Sequence, residues 1–107
     1  METGCVIVLT TIGSTADGGH LASVLVSERL AAFVNVLSEM ESFYRWNGKV
    51  ETDKERQIII KTTADRVDAL RARLRELHTY EVPEFIVLAI GDGSENYLNW
   101  IRESVAG

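Results

Sequence analysis

Apolar positions along the chain fall into runs that predict four main strands. Residues 5–11 are almost continuously apolar and β-branched, as expected of a central strand that is covered on both faces. Residues 33–37, 56–62 and 85–90 form three further apolar runs. Polar or turn-forming residues separate these runs, so each run is predicted to be a separate strand.

Residues 40–62 also predict a long β-hairpin. Its arms are residues 40–46 and 49–52, and Asn47-Gly48 between them tolerates the positive φ angles of a tight type I′ turn. Alternation along the first arm places aromatic rings on both faces. One face carries Phe43 and Arg45, and the other carries Tyr44 and Trp46. Because an isolated hairpin is only marginally stable in water, we expect another subunit to cover this one.

Polar caps and apolar stripes predict three helices. Ser14 is expected to cap the first helix with Asp17 in the capping-box position, Thr62 to cap the second with Asp65 at its third position, and Ser94 to cap the third. Positions spaced by three or four residues are expected to face the core. They are Leu21, Val24, Leu25 and Leu30, then Val67, Leu70, Leu74 and Leu77, and finally Tyr97, Leu98, Ile101 and Val105.

The order of these elements predicts an α+β fold of the ferredoxin-like βαββαβ plan. This plan is an antiparallel sheet with helices on one face, here with a long β-hairpin and an extra C-terminal helix. No linker or repeat divides the 107 residues, so residues 1–107 are predicted to form a single domain. The strands are too apolar for the other face of the sheet to meet water, which is a second reason to expect an oligomer.

Composition restricts the expected partners and compartment. Eleven basic against sixteen acidic residues give a formal net charge of -5, which argues against nucleic acid or an anionic membrane as the main partner. No apolar run approaches the roughly 20 residues of a membrane span, and the N-terminus does not resemble a signal peptide. A single cysteine cannot form an internal disulfide, which suits a cytoplasmic protein.

Several known functions of this fold lack their residues here. An RNA-recognition module would stack bases on aromatic residues of its first and third strands, but residues 5–11 and 56–62 contain none. The loop at residues 10–14 has neither the paired thiols of a copper chaperone nor the arginine with which an acylphosphatase-like enzyme would hold phosphate. No nucleophile or acid–base pair can be picked out, so we do not expect an enzyme.

Two residues and one aromatic segment are candidates for binding. His78 follows the second helix, where an imidazole caps free carbonyls or, with partners, binds a metal. Lys61 is the last residue but one of a predicted buried strand, just before a helix N-terminus. Three roles are open for it: to help hold an anion there, to extend into solvent from the sheet edge, or to pair with Glu55. Residues 44–46 suit a subunit interface better than a ligand cleft. The sequence leaves these alternatives open.

Seven segments together resemble the CutA family of divalent-cation tolerance proteins. They cover nearly the whole chain, in order: residues 8–11 (VLTT), 28–32 (ERLAA), 34–35 (VN), 42–50 (SFYRWNGKV), 59–62 (IIKT), 78–84 (HTYEVPE) and 97–101 (YLNWI). The resemblance implies a very stable homotrimer, similar in architecture to the PII signalling trimers, with each hairpin wrapping a neighbour and the sheets meeting edge to edge. The resemblance also implies a role in tolerance of copper and other divalent ions, or a role like that of animal relatives in anchoring acetylcholinesterase. Neither role comes with an established catalytic mechanism.

Departures from the family pattern concern the metal site. Phe33 and Thr10 stand where other members carry cysteines, and Thr79 replaces the proline of the family's His-Pro-Tyr block. His78 matches the histidine of that block. The resemblance therefore implies a weak site for Cu²⁺ or Zn²⁺, built from imidazole and carboxylates at a subunit junction, with His78 as a ligand.

Two functional hypotheses follow. The first is a non-enzymatic cytoplasmic homotrimer that binds or responds to divalent metal near His78. The alternative is a PII-like signalling or scaffold trimer that binds a small anionic ligand in a cleft between subunits. The residues predicted to line that cleft are Trp46, Lys61, Tyr80 and Glu84.

Overall fold

One four-stranded sheet and three helices form the fold in the computed structural model, which describes residues 2–78, 80 and 82–107. The elements are β1 (Cys5–Gly13), α1 (Gly18–Ser27), β2 (Phe33–Trp46), β3 (Lys49–Thr63), a 3₁₀ turn (Ala64–Arg66), α2 (Val67–Leu77), β4 (Ile86–Ala89) and α3 (Glu95–Val105). All strand pairs are antiparallel, in the order β2-β3-β1-β4. The predicted α+β, ferredoxin-like architecture is therefore confirmed.

The central strand β1 is longer than one of its two neighbours. It pairs with β3 over its whole length, from Cys5 opposite Thr63 to Gly13 opposite Glu55. Its pairing with β4 ends at Leu9, opposite Ile86. Residues 10–13 therefore have one edge that pairs with no strand of the described residues, and the His78 side chain reaches this edge.

The hairpin is longer and more continuous than predicted. Its two arms merge with the flanking predicted strands, because residues 33–46 and 49–63 each form one uninterrupted strand. Asn47 and Gly48 have φ angles of 52° and 76°, as the predicted tight turn requires. The predicted polar break at residues 38–39 is a register shift between Val36 and Glu39, not an end of the strand.

Two apolar clusters lie on opposite faces of the sheet. On one face, α1 and α2 pack over alternate residues of the central strands. That cluster contains Val6, Val8, Ile12, Leu21, Leu25, Leu30, Ala31, Ile58, Ile60, Leu70 and Leu74. On the other face, α3 covers only one end of the sheet with Leu98, Ile101 and Val105, which pack with Cys5 and Ala32.

Three details of the predicted helices are wrong. Asp17, not Ser14, caps α1, because its Oδ1 accepts a hydrogen bond from the His20 amide at 2.9 Å. Thr62 caps no helix; it is fully buried and its hydroxyl donates to the Leu30 carbonyl at 2.9 Å. Tyr97, predicted to face the core, is 38% exposed.

Much of the second sheet face remains exposed beyond α3. One row across it runs from Phe33 through Lys61 and Ile7 to Leu88, following the strand pairing. Large apolar side chains at and near this face keep more than a third of their surface exposed, and they are Phe33, Ile86, Leu88, Tyr97 and Trp100. None of the helices in the described residues is long and apolar enough to cross a membrane.

Candidate functional site

A cleft of about 710 Å³ separates the hairpin from the segment that follows α2. We call it the hairpin cleft. Alternation along β2 and β3 brings every second residue of each strand to its wall. Its described lining consists of Thr11, Met40, Ser42, Tyr44, Trp46, Asp53, Glu55, Gln57, Tyr80, Val82, Pro83 and Glu84.

The lining of the hairpin cleft is acidic. Asp53, Glu55 and Glu84 contribute carboxylates, and no Lys or Arg is found among the described lining residues. Glu55 is only 9% exposed, which is unusual for a carboxylate. The sequence carries a signal for this wall that the search for apolar runs overlooks, because Glu51, Asp53 and Glu55 recur at the two-residue period of one strand face.

Two tyrosines respond to these carboxylates. The Tyr44 hydroxyl donates a hydrogen bond to Asp53, which raises the pKa of Tyr44 from 10.0 to about 12. Burial, and then the nearby Glu55 carboxylate, raise the pKa of Tyr80 well above its ordinary value. Both phenols therefore stay protonated at neutral pH. The Asp53 carboxylate is the main cause of the Tyr44 shift, and the Glu55 carboxylate adds to the effect of burial on the pKa of Tyr80.

Gln57 positions one of the three carboxylates. Its side-chain amide donates to the Thr10 carbonyl at 2.7 Å and to Glu84 Oε1 at 3.2 Å. These two hydrogen bonds join β3, the unpaired edge of β1 and the segment before β4. Glu84 is thereby held against the wall of the cleft.

His78 has both ring nitrogens occupied by the backbone. Its Nε2 donates to the Thr11 carbonyl, on the part of β1 that β4 does not reach. Its Nδ1 accepts from the Tyr80 amide at 3.2 Å, which fixes the neutral tautomer with the proton on Nε2. The backbone amide of His78 also caps α2 by donating to the Leu74 carbonyl at 2.8 Å.

A metal would have to displace one of these hydrogen bonds to bind His78. Across residues 2–78, 80 and 82–107, no three His, Cys, Asp or Glu side chains are arranged to hold a metal ion. Cys5 is buried at the opposite end of β1, with Sγ 3.8 Å from the Leu98 carbonyl. His78 as a metal ligand remains a prediction.

Three of the four residues predicted for a ligand cleft meet in the structure. Trp46, Tyr80 and Glu84 line the hairpin cleft, but Lys61 does not. Lys61 Nζ lies on the exposed sheet face, 4.8 Å from the centre of the Phe33 ring and 3.4 Å from the Tyr97 hydroxyl. Without Lys61, the described cleft has no cationic group for an anion.

Comparisons with known proteins agree over nearly the whole chain. Residues 6–104 match the family model described as CutA1 divalent ion tolerance protein. The divalent-cation tolerance protein CutA of Thermus thermophilus is 42% identical over 98 residues, which are 92% of this chain and 95% of the relative. The chloroplastic protein CutA 1 of Oryza sativa is 42% identical over 99 residues, which are 92% of this chain but 56% of the rice protein.

A solved structure has the same fold. The divalent cation tolerance protein (Cut A1) from Thermus thermophilus superimposes with a TM-score of 0.91 and 40% sequence identity. The match covers 95% of this chain and 99% of that chain. The similarity therefore includes the hairpin and α3, not only the core of the sheet.

Proposed function

Because the chain belongs to the CutA1 family of divalent ion tolerance proteins, we propose that it binds divalent cations in the hairpin cleft. The observation that carries this proposal is the acidic lining: Asp53, Glu55 and Glu84 all line the cleft, and no Lys or Arg is among its described lining residues. Carboxylate oxygens are ligands for divalent cations, and clustered negative charge attracts them.

The burial of Glu55 supports a cation at this place. A carboxylate that is only 9% exposed is costly unless a cation or hydrogen-bond donors compensate it. The Tyr80 phenol is a hydrogen-bond partner of Glu55, but it is neutral. A bound cation would compensate the charge that a neutral phenol leaves in place.

We propose that the cation site is completed by neighbouring copies in a homotrimer. Within one described chain, no three suitable side chains come together, so ligands from another copy are needed for a full coordination shell. The hairpin offers a surface for such a neighbour, because Phe43 is 66% and Val50 68% exposed. The row of residues from Phe33 to Leu88 offers a second one, because both of these apolar side chains are more than a third exposed.

The chemistry of the cleft favours weak, exchangeable binding. Carboxylates and amide oxygens bind Mg²⁺ and Mn²⁺ readily, and Zn²⁺ and Cu²⁺ also accept them, whereas tight Cu²⁺ or Zn²⁺ sites use imidazole or thiolate ligands. His78 would join the site only by giving up the Tyr80 amide or the Thr11 carbonyl. In this proposal the protein is not an enzyme, and the cation is its cargo or its signal. We expect the protein in the cytoplasm, without nucleic-acid or membrane partners.

The alternative hypothesis, a PII-like trimer that binds a small anion in this cleft, has less support. Lys61, the residue predicted to hold the anion, does not line the cleft; it lies farther along the same sheet face, next to Tyr97. The three carboxylates of the lining would repel the same anion.

Calorimetric titration with Zn²⁺, Cu²⁺ and Mg²⁺ tests the cation proposal. Wild type should bind saturably, and Glu55→Gln should weaken binding at least tenfold without unfolding the protein, because it removes a buried charge. Glu41→Gln is the matched control, since this substitution removes the same charge from the same hairpin at a residue that does not line the cleft. If both variants bind as tightly as wild type, the cleft is not the cation site.

His78→Ala should be titrated alongside these variants. Unchanged affinity in His78→Ala together with loss in Glu55→Gln places the cation on the carboxylates. The reverse result places it on His78 and contradicts the proposed site. Light scattering of wild type and Trp46→Ala measures the assembly: a monomeric wild type would rule out the homotrimer.

A further inference from the structure

A second cavity, of about 430 Å³, lies on the other side of the segment that contains Tyr80 and residues 82–84. We call it the α2 cavity, because Arg71, Leu74 and Arg75 of α2 form part of its wall. The side chains of Thr10 and Phe85 line it as well. Its volume is within the range of pockets that bind small molecules.

The hydroxyl of Thr10 is the most unusual group in this cavity. Thr10 is only 1% exposed, and its Oγ1 has no hydrogen-bond partner within residues 2–78, 80 and 82–107. A buried hydroxyl without a partner is costly, so native proteins rarely keep one without a reason. Thr10 is one of the residues that line the α2 cavity, which is large enough for a ligand that accepts this hydrogen bond.

Two arginines give the same cavity a positive wall. Arg71 and Arg75 are four residues apart on α2, which puts them on one side of the helix. The Arg71 guanidinium lies 4.9 Å from the centre of the Phe85 ring, and its Nη1 is 3.1 Å from Asp68. Planar guanidinium groups bind carboxylate and phosphate oxygens well, and a neighbouring aromatic ring does not compete for their remaining donors.

We propose that the α2 cavity binds a small organic anion through Thr10, Arg71 and Arg75. The oxyanion head, a carboxylate or a phosphate, accepts hydrogen bonds from the Thr10 hydroxyl and the two guanidinium groups. The apolar body of the ligand packs against Leu74 and Phe85. This site is distinct from the hairpin cleft, because Arg71 and Arg75 line it and no Lys or Arg is among the described residues that line the cleft.

Two other groups belong to the lining. Glu84 lines both cavities and sets one carboxylate against the two guanidinium groups, while its Oε1 accepts from Gln57, which lines the hairpin cleft. His78 also borders the α2 cavity, with both ring nitrogens committed to backbone groups. The cationic donors of this site are therefore the two arginines.

Calorimetric titration of metal-free protein with phenyl phosphate, benzoate and inorganic phosphate tests the proposal. Removing metal on a chelating resin keeps the result independent of cation binding in the hairpin cleft. We expect saturable binding of phenyl phosphate or benzoate, whichever head group fits, at least tenfold tighter than that of inorganic phosphate. The absence of saturable binding for all three compounds would overturn the proposal. Equal affinity for the organic and inorganic anions would overturn the role of the apolar wall.

Three variants locate the site. Arg75→Gln should weaken binding at least tenfold, and Thr10→Val, which keeps the shape and removes the hydroxyl, about threefold to tenfold. Arg73→Gln is the matched control, because it removes the same charge from the same helix at a residue that contacts Glu28 at 3.0 Å and does not line the cavity.

The melting temperature separates loss of the site from loss of the fold. Thr10→Val should melt at or above the wild-type temperature, because it removes a buried hydroxyl without a described partner. Equal weakening by Arg73→Gln and Arg75→Gln would show a general effect of charge and overturn the assignment. Wild-type affinity in Thr10→Val would show that the hydroxyl does not contact the ligand.

Discussion

The side-chain amide of Gln57 lies 3.2 Å from the Glu84 carboxylate, and this contact links β3 to the segment before β4. The same amide reaches the Thr10 carbonyl at 2.7 Å. One side chain thus holds the segment that separates an acidic cleft from a basic cavity. The position of Glu84 depends on a hydrogen bond that a hydrophobic residue cannot make.

Gln57→Met should therefore lower the free energy of unfolding by about 1 kcal/mol, because it keeps the side-chain length but loses the donors. Urea denaturation at a fixed protein concentration measures the change. Glu84→Gln, in which an amide oxygen still accepts the bond, should have a smaller effect. Equal effects of the two substitutions would mean that the charge, rather than the hydrogen bond, provides the stabilisation.

His78→Ala should lower the free energy of unfolding by about 1–3 kcal/mol. The Thr11 carbonyl and the Tyr80 amide both lose their imidazole partner, and a partly buried group without a partner is costly. Hydrogen exchange at the Tyr80 amide should become faster in the same variant. His20→Ala is the control, since His20 is exposed on α1 and should change the free energy by no more than about 0.5 kcal/mol.

Gly18→Ala and Gly19→Ala should act in opposite directions, although the two glycines are adjacent at the start of α1. A Cβ at Gly18 would lie 2.8 Å from Val36 Cγ1 and 3.1 Å from Ile12 Cδ1, so we expect a loss of about 1–3 kcal/mol. A Cβ at Gly19 meets only the Asp17 Oδ1 atom at 3.5 Å, and alanine there should stabilise the helix by up to about 1 kcal/mol. Thermal melting of both variants checks the pair, and a loss of similar size at Gly19 would contradict it.

Alkaline titration should separate Tyr44 from an ordinary tyrosine. Its pKa is raised to about 12 in the folded protein by the hydrogen bond to Asp53, against 10.0 for the free side chain. The stabilisation from the neutral phenol is therefore fully present below pH 10.0 and is lost as the pH rises towards about 12.

Carbon NMR of the tyrosine ring, recorded against pH, follows this ionisation. Asp53→Asn should return the pKa of Tyr44 towards 10.0 and lower that of Tyr80 by a smaller amount, because Asp53 is a weaker cause of the Tyr80 shift. An unchanged pKa of Tyr44 in Asp53→Asn would show that another group causes the shift.

The apolar strands could be predicted from the sequence. The polar segment that makes β3 one continuous strand could not. The first predicted strand, residues 5–11, is found as β1 because β-branched residues covered on both faces leave an unmistakable run. Residues 53–55 fall between two predicted strands, but they are part of β3. A strand whose two faces are both polar has no hydrophobic period, and only cross-strand pairing with β2 reveals it.

A residue of the candidate site could be predicted only where a single secondary-structure element or segment determines its position. Trp46 follows from the alternation of the hairpin, and Glu84 and Tyr80 from the segment that resembles the family pattern. Lys61 lies outside the predicted cleft because its surroundings come from α3, which returns to the sheet more than thirty residues later and places Tyr97 beside it. The Thr10 hydroxyl, which has no partner among the described residues, has no sequence signature, since a threonine in a buried strand usually finds a partner.

The register shift between Val36 and Glu39 reverses the alternation of faces along β2. Before the shift, Val36 lies opposite Ile58 on the helix side of the sheet, and after it Tyr44 lies opposite Glu51 on the cleft side. Both residues have even numbers, so a strand without the shift would place them on the same face.

Two residues of β2, Leu37 and Ser38, take the place opposite the single residue Gln57, so deletion of one of them would remove the bulge and leave Tyr44 opposite Glu51 on the cleft side. The extra residue can therefore be lost among relatives while the acidic lining of the cleft stays in place.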